Sequence, residues 1–289
     1  MAWMFAAIEA GGTTFVVAAG ARRAHLVPVV LPTSDPTTTL DAVVAWLRER
    51  GPFDGLGIAA FGPVEVDPSS DRYGVIGATP KLGWRGVPIG PQLGEALDCP
   101  WALDTDVNAA ALAEGRWGAC RGLDDFVYVT IGTGIGGGAV SSGRLVQGLL
   151  HPEMGHVPMQ RADDDTFEGS CPFHGDCFEG LASGRALEAR WGRAAEDLPP
   201  DHPAWDLEAR YLASGLHTIT CVLAPQRIAL GGGVMAAAGL LDRTRHHLRE
   251  RLAGYLRLPE SFLVAPALGA VSGLHGAFAL AERAQSSRG

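Results

Sequence analysis

The sequence predicts an α/β protein of two domains, and three observations carry that reading. The chain has 289 residues, a length that suits two ordinary domains and buries roughly three quarters of the unfolded surface. Short apolar runs alternate with longer stretches of helical spacing. One unit, strand–glycine turn–strand, occurs twice, around Glu9-Ala-Gly-Gly-Thr and around Thr130-Ile-Gly-Thr-Gly. The likeness is architectural, not a repeat of the solenoid kind. It predicts a first domain over 1–118 and a second over 119–269, each opening on that unit.

The elements follow in order. Met4–Glu9, Thr13–Ala19 and His25–Leu31 read as three strands of an antiparallel meander. Thr37–Arg50 carries Leu40, Val43, Val44 and Leu47 at helical spacing, with Asp35 or Thr37 as cap. Leu56–Ala60 is a buried strand that ends at Phe61-Gly62-Pro63. Pro88–Leu97 is a weaker helix, Trp101–Asp104 a strand and Val107–Gly118 an alanine-rich helix. The second domain repeats the opening with strands at Phe126–Ile131, Ile135–Ser141 and a third from Leu145. His151–Glu179 is loop-like and rich in His, Cys and Gly. Helices are predicted over Leu181–Ala195, Ala204–Leu223, Leu240–Gly254 and Ala270–Arg283, with strands at Arg227–Leu230 and Phe262–Ala265. Gln285–Gly289 reads as a frayed tail.

Composition excludes several classes. Hydrophobic residues are 47% and charged residues 19%, which is globular rather than disordered. The 23 Lys+Arg against 32 Asp+Glu give a net charge of −9, against sequence-independent nucleic-acid binding. No apolar run reaches the roughly 18–20 residues of a membrane span. The start lacks a basic region and Glu9 soon follows, so no signal peptide is expected and the cytoplasm is the default. Five cysteines, an odd number, do not suggest a disulfide framework. Cys99, Cys120 and Cys221 read as core residues. The 39 glycines are about twice the usual ~7%.

Those glycines cluster in three turns: Gly11-Gly12-Thr13-Thr14, Gly132-Thr133-Gly134 and Gly231-Gly232-Gly233. Glycine lets a backbone approach a ligand closely, and its N–H groups can converge on phosphate oxygens. Singly, each is equally a hairpin turn; three together favour phosphate binding. Leu103-Asp-Thr-Asp-Val-Asn then delivers Asp104, Asp106 and Asn108 to the mouth of a helix. Asp106 is either a helix cap or a general base; phosphoryl transfer needs only a well-placed carboxylate. Asn108 and Glu114 read as residues that fix local structure. Cys171, His174 and Cys177 stand at three-residue intervals with His156 upstream. Four N/S ligands describe a closed structural Zn²⁺ site, the alternative being free thiols and surface histidines. Glu153 and Glu179 flank that loop, as ligands for hydroxyl groups or as solvated acids.

On these residues the chain resembles the ROK family of sugar kinases, in its bacterial fructokinase type. Ile8-Glu-Ala-Gly-Gly-Thr, the Leu103–Glu114 helix, Thr130–Gly138, His151–His156 with Cys171–Gly180, and Leu230-Gly-Gly-Gly-Val match its motifs in order over nearly the whole length. The resemblance implies an actin-like ATPase (ribonuclease H-like) fold, with a cleft between two α/β domains and the helix 270–285 joining the first. It implies ATP and Mg²⁺, with Glu9 helping to place the metal and the glycine turns receiving the nucleotide. It implies a sugar held by Gly62, Asp106, Glu153, His156 and Glu179, with Asp106 as general base, and a homodimer. The Cys-x-x-His-x-x-Cys loop and the Asp-x-Asp series point to D-fructose, phosphorylated at its 6-hydroxyl. Glucose, mannose or an N-acylated hexosamine is the alternative. Repressor members need a DNA-binding segment for which Ile8 leaves no room. One departure stands out: the family commonly has Lys where this chain has Thr14, so a cation near the phosphates is missing.

Overall fold

The computed structural model describes residues 3–286, so Met1–Ala2 and the last three residues of the expected tail lie outside it. The chain divides into two compact units. The first comprises residues 1–113, 147–151 and 271–289; the second comprises 114–146 and 152–270.

The first unit is built on strands β1 (Phe5–Ala10), β2 (Thr14–Gly20), β3 (Val29–Pro32), β4 (Gly55–Ala60) and β5 (Trp101–Thr105). The sheet order is β3-β2-β1-β4-β5, antiparallel across β1, β2 and β3 and parallel across β1, β4 and β5. Its helices are α1 (Pro36–Arg48), α2 (Ile89–Leu97), the start of α3 (Asp106–Trp117) and α8 (Ser272–Ser286). The expected cap of α1 is Asp35, whose carboxylate accepts the Thr38 N–H at 3.0 Å. α8 lies on β4 because Gly55 and Gly57 carry no Cβ. A Cβ at Gly57 would stand 1.7 Å from the Ala277 carbonyl oxygen.

The second unit has β6 (Phe126–Ile131), β7 (Ile135–Ser141), β8 (Arg144–Leu145), β9 (Arg227–Gly231) and β10 (Leu263–Val264). Its order, β8-β7-β6-β9-β10, with the same parallel and antiparallel pairings, reproduces the first sheet strand for strand. α4 (Phe178–Ala182), α5 (Gly184–Trp191), α6 (Ala204–Leu223) and α7 (Leu240–Leu252) complete it. Its core centres on Phe178, Leu181, Leu212, Leu216 and Leu230.

Three expectations are corrected. The single helix over Leu181–Ala195 is two. Ser183 breaks it and caps α5, accepting the Ala186 N–H at 3.2 Å, while the Gly184 N–H is drawn to the Gly132 carbonyl at 2.7 Å. The strand over His25–Leu31 begins only at Val29, after a 3₁₀ turn at Arg23–His25. Cys221 is exposed on α6, whereas Cys99 and Cys120 are buried as expected.

Candidate active site

In the first unit the chain leaves β1, turns at Gly11–Thr13 and returns as β2. Gly11 donates its N–H to the Thr14 carbonyl at 2.9 Å, and a Cβ there would meet that oxygen at 2.6 Å. The carbonyls of the turn all point at partners. Gly11 O accepts the Thr33 hydroxyl at 2.9 Å, Thr13 O accepts the Thr33 N–H at 2.9 Å, and Gly12 O accepts the Lys81 ammonium. Among the described residues no acceptor takes the N–H of Gly12 or Thr13. Both residues are exposed, so two adjacent donors face outward. Thr14 is the exposed first residue of β2, with Phe15 buried on the opposite face. A cation does stand at this turn, the Lys81 ammonium on the Gly12 carbonyl, and sequence reasoning overlooked it.

Glu9, one residue before the end of β1, stands by Asp106, the first residue of α3. Burial pushes the Glu9 carboxyl up to about 7, the Asp106 carboxylate adds to the rise, and the Leu274 N–H opposes it. The helix-cap reading of Asp106 gives way. The Thr105 hydroxyl accepts the Asn108 N–H at 3.1 Å and so does the capping. Asp106 Oδ1 accepts the N–H of the next residue, Val107, at 2.9 Å. The other two members of the Asp-x-Asp-x-Asn series bind each other. Asp104 Oδ1 accepts the Asn108 amide at 2.7 Å and its Oδ2 the Gln147 amide at 3.0 Å. Glu114, fully buried, takes backbone N–H groups of Ala119, Ala267 and Leu268 at 2.7–3.0 Å. Asn108 and Glu114 thus tie local structure, and Asp106 stands at the corner between β5 and α3. Gly62 follows β4, whose end is tied to β1 by the Phe61 N–H on the Ala10 carbonyl at 2.9 Å.

In the second unit the turn Gly132–Gly134 repeats the logic. Gly132 donates to the Gly134 carbonyl at 2.9 Å, and the N–H groups of Thr133 and Gly134 find no acceptor among the described residues. Glu179, on α4, packs against this turn. Its Oε2 accepts the Ile135 N–H at 3.0 Å, and a Cβ at Gly134 would stand 2.5 Å from it. Glu153 precedes a 3₁₀ turn, Met154–His156, laid on β7. Gly155 permits that contact, since a Cβ there would meet the Ile135 carbonyl oxygen at 1.9 Å. Burial raises the Glu153 carboxyl; Glu179 raises it further and His156 opposes. Glu153, His156 and Glu179 are therefore brought together.

The predicted metal ligands also converge. Cys171 and Gly175 exchange two backbone bonds, closing a tight turn around His174, and Cys177 begins α4. The donor atoms of His156, Cys171, His174 and Cys177 all lie within 4.8 Å of one another, so they could hold a metal ion. His156 turns its Nδ1 to Cys171 at 3.7 Å and to Cys177 at 3.6 Å, which leaves Nε2 on the other edge of the ring. The third glycine turn is less telling. Gly231 makes room for Pro266 and Tyr128, and Gly232 adopts φ +96° with the Ile131 carbonyl against it. Internal packing accounts for both, and only Gly233 faces open space.

The family model of the ROK family matches residues 5–284. The chain belongs to the ROK family. A fructokinase of Zymomonas mobilis is 42% identical over 98% of both chains. The ROK hexokinase of Thermus thermophilus superposes with a TM-score of 0.80 at 29% identity, covering 99% of this chain and 100% of that one. A ROK glucokinase of Streptomyces griseus, solved with glucose and AMPPNP, gives 0.79 at 27% identity over 97% and 99%. The expected actin-like ATPase fold is thus this chain's fold, two mixed sheets each backed by helices. As in other ROK kinases, use of ATP entails a divalent metal. No helix among the described residues is long and apolar enough to cross a membrane.

Proposed function

We propose that this ROK kinase transfers the terminal phosphate of ATP to the 6-hydroxyl of D-fructose, giving fructose 6-phosphate and ADP. The observation that carries the substrate is the 42% identity to a fructokinase over 98% of both chains, against 27% to a glucokinase. The Cys-x-x-His-x-x-Cys loop, assembled with its upstream histidine, agrees with it.

Asp106 is the general base. The transition state of phosphoryl transfer is loose, so the hydroxyl proton leaves late and position matters more than basicity. The paired N–H groups of Gly12 and Thr13, and of Thr133 and Gly134, receive phosphate oxygens, while Gly233 lies open toward the adenosine. Mg²⁺ travels with ATP, and the acidic pair of Glu9 and Asp106 suits a divalent cation, which would neutralise phosphate charge. Gly62, Glu153, His156 and Glu179 hold sugar hydroxyls. His156, whose Nδ1 faces Cys171 and Cys177, would hold the metal through that nitrogen and could offer Nε2 to a sugar hydroxyl, coupling metal to sugar.

The bound metal is Zn²⁺. Tetrahedral zinc with Zn–S of about 2.3 Å and Zn–N of about 2.0 Å places neighbouring S and N donors about 3.6 Å apart. Three of the four S–N separations here are 3.6–3.8 Å, and all four donor atoms lie within 4.8 Å of one another. Four protein ligands close the shell, so the zinc is structural. The protein acts in the cytoplasm, as a homodimer. A coupled ADP-release assay over fructose, glucose, mannose and N-acetylhexosamines tests the substrate; fructose giving a lower kcat/KM than any of the others overturns it.

A further inference from the structure

The chain contains 22 arginines and one lysine, Lys81. That lysine stands at the first glycine turn, with its ammonium donating to the Gly12 carbonyl. The carbonyl belongs to the residue whose own N–H, together with that of Thr13, finds no acceptor among the described residues. An ammonium has three donors, so one bond to Gly12 leaves two directed elsewhere.

The placement is built rather than incidental. Lys81 lies in the segment between β4 and α2, three residues before Trp84. Trp84 is fully buried. Its ring packs on Phe15 and on Phe61, each at 5.5 Å between centroids. Its Nε1 donates to the Ser34 carbonyl at 2.9 Å, next to the Thr33 that holds Gly11 and Thr13. The Trp84 N–H closes back on the Lys81 carbonyl at 3.3 Å, and the Lys81 N–H finds the Thr79 hydroxyl at 3.3 Å. The anchor thus fixes the lysine backbone beside the turn from the same strands that form it. Lysine also suits the place chemically. A compact ammonium can serve a carbonyl and a phosphate at once, whereas the planar guanidinium prefers paired oxygens.

We propose that Lys81 is a phosphate-binding residue of the nucleotide site, supplying from a distant loop the cation that position 14 lacks. The proposal rests on the reading that the Gly11–Thr13 turn receives phosphate. Its ammonium contacts the terminal phosphates of ATP and offsets their charge while Gly12 and Thr13 donate from the backbone.

One lysine makes the test clean, because only Lys81 and the N-terminal amine can form an acetamide. With Mg²⁺ and AMPPNP present, Lys81 should be protected from acetic anhydride, read by mass spectrometry, while fructose alone should not protect it. Lys81→Gln should raise the KM for ATP at least about tenfold, the worth of one charge-assisted bond. The KM for fructose and the thermal midpoint should stay close to wild type. Thr14→Lys placed in the Lys81→Gln chain should recover part of the loss. An ATP KM within twofold of wild type in Lys81→Gln overturns the proposal. So does an equal rise of both KM values with a lowered midpoint, which would mark a mere structural tie. Gly12→Val separates the two readings, since it adds bulk over the donors where there is open space. If it raises the ATP KM while Lys81 is unprotected, the turn binds phosphate without the lysine and the proposal fails alone. If it leaves the ATP KM unchanged, the phosphate-turn reading itself fails.

Discussion

Glu9→Gln probes the acidic pair at the head of β1 through stability. The Glu9 carboxyl is pushed from an ordinary 4.5 up to about 7, by burial and then by the Asp106 carboxylate. The groups that face it are Asp106 on α3 and the start of α8, where a Cβ at Gly273 would stand 2.4 Å from its Oε1. The folded chain therefore keeps a proton that the unfolded chain releases. Below about pH 4.5 both states hold it. Between 4.5 and about 7 the folded state binds more protons, so stability falls as pH rises. Above pH 7 the buried charge is fully present. At about 1.4 kcal/mol per pH unit, the interval from 4.5 to about 7 amounts to about 3.5 kcal/mol. Glutamine keeps an oxygen for the Leu274 N–H but is neutral throughout. In the absence of nucleotide and metal, Glu9→Gln should raise the thermal midpoint of the first unit by about 10 °C at pH 8.5. At pH 4.5 the gain should vanish. Differential scanning calorimetry of both proteins across this range reads the difference directly. Midpoint curves that stay parallel from pH 4.5 to 8.5 would refute the reasoning, because they would show that Glu9 carries no proton peculiar to the folded state.

Three further outcomes are expected. Asp106→Asn should retain ATP binding and the fold but lower kcat by about 10²-fold or more; more than about a tenth of wild-type kcat, measured by ADP release, removes Asp106 as the base. Cys177→Ser should lose a stoichiometric zinc by elemental analysis yet keep its circular dichroism, with the KM for fructose rising well beyond that for ATP. Thr14→Lys alone should leave the KM for ATP within about twofold, because a second ammonium beside Lys81 meets repulsion about as large as the attraction it adds. A clear fall in that KM would show that the turn lacked a cation.

Much of this arrangement is legible in the sequence, for identifiable reasons. β6, β7 and α6 have the predicted limits because a β-branched and aromatic run bounded by glycine turns and a 20-residue apolar periodicity speak for themselves. The metal ligands are legible because a loop with two bonds between Cys171 and Gly175 has few ways to place three-residue spacings. The break at Ser183 is not, since the carbonyl that draws the Gly184 N–H belongs to Gly132, 52 residues away. The Asp-x-Asp-x-Asn series was a partly misleading signal. Two of its members, Asp104 and Asn108, bind each other, so the series is not three equivalent site residues. Lys81 escaped because residues 64–87 carry no regular periodicity and are organised by Trp84, a tertiary anchor. The composition held the clue: where 22 of 23 basic residues are arginine, the exception asks for a reason.

The two sheets share one strand order, and that order explains why both glycine turns leave donors exposed. In each, the first strand is flanked by its antiparallel successor on one side and by a parallel strand on the other. The ladder satisfies every residue up to the turn. The turn then closes on itself with one bond from its first glycine, Gly11 to Thr14 or Gly132 to Gly134. The next two N–H groups lie beyond the ladder and within no helix, so only a side chain, solvent or a ligand can take them. In the second unit Glu179 takes the donor that follows, from Ile135, and stops there. In the first unit a basic side chain occupies the neighbouring carbonyl instead. The same backbone device thus presents paired donors twice, once bordered by an anion and once by a cation. An anionic ligand is favoured more strongly at the turn beside Lys81 than at the turn beside Glu179, so on the proposed reading Gly11–Thr13 is the stronger of the two proposed phosphate sites.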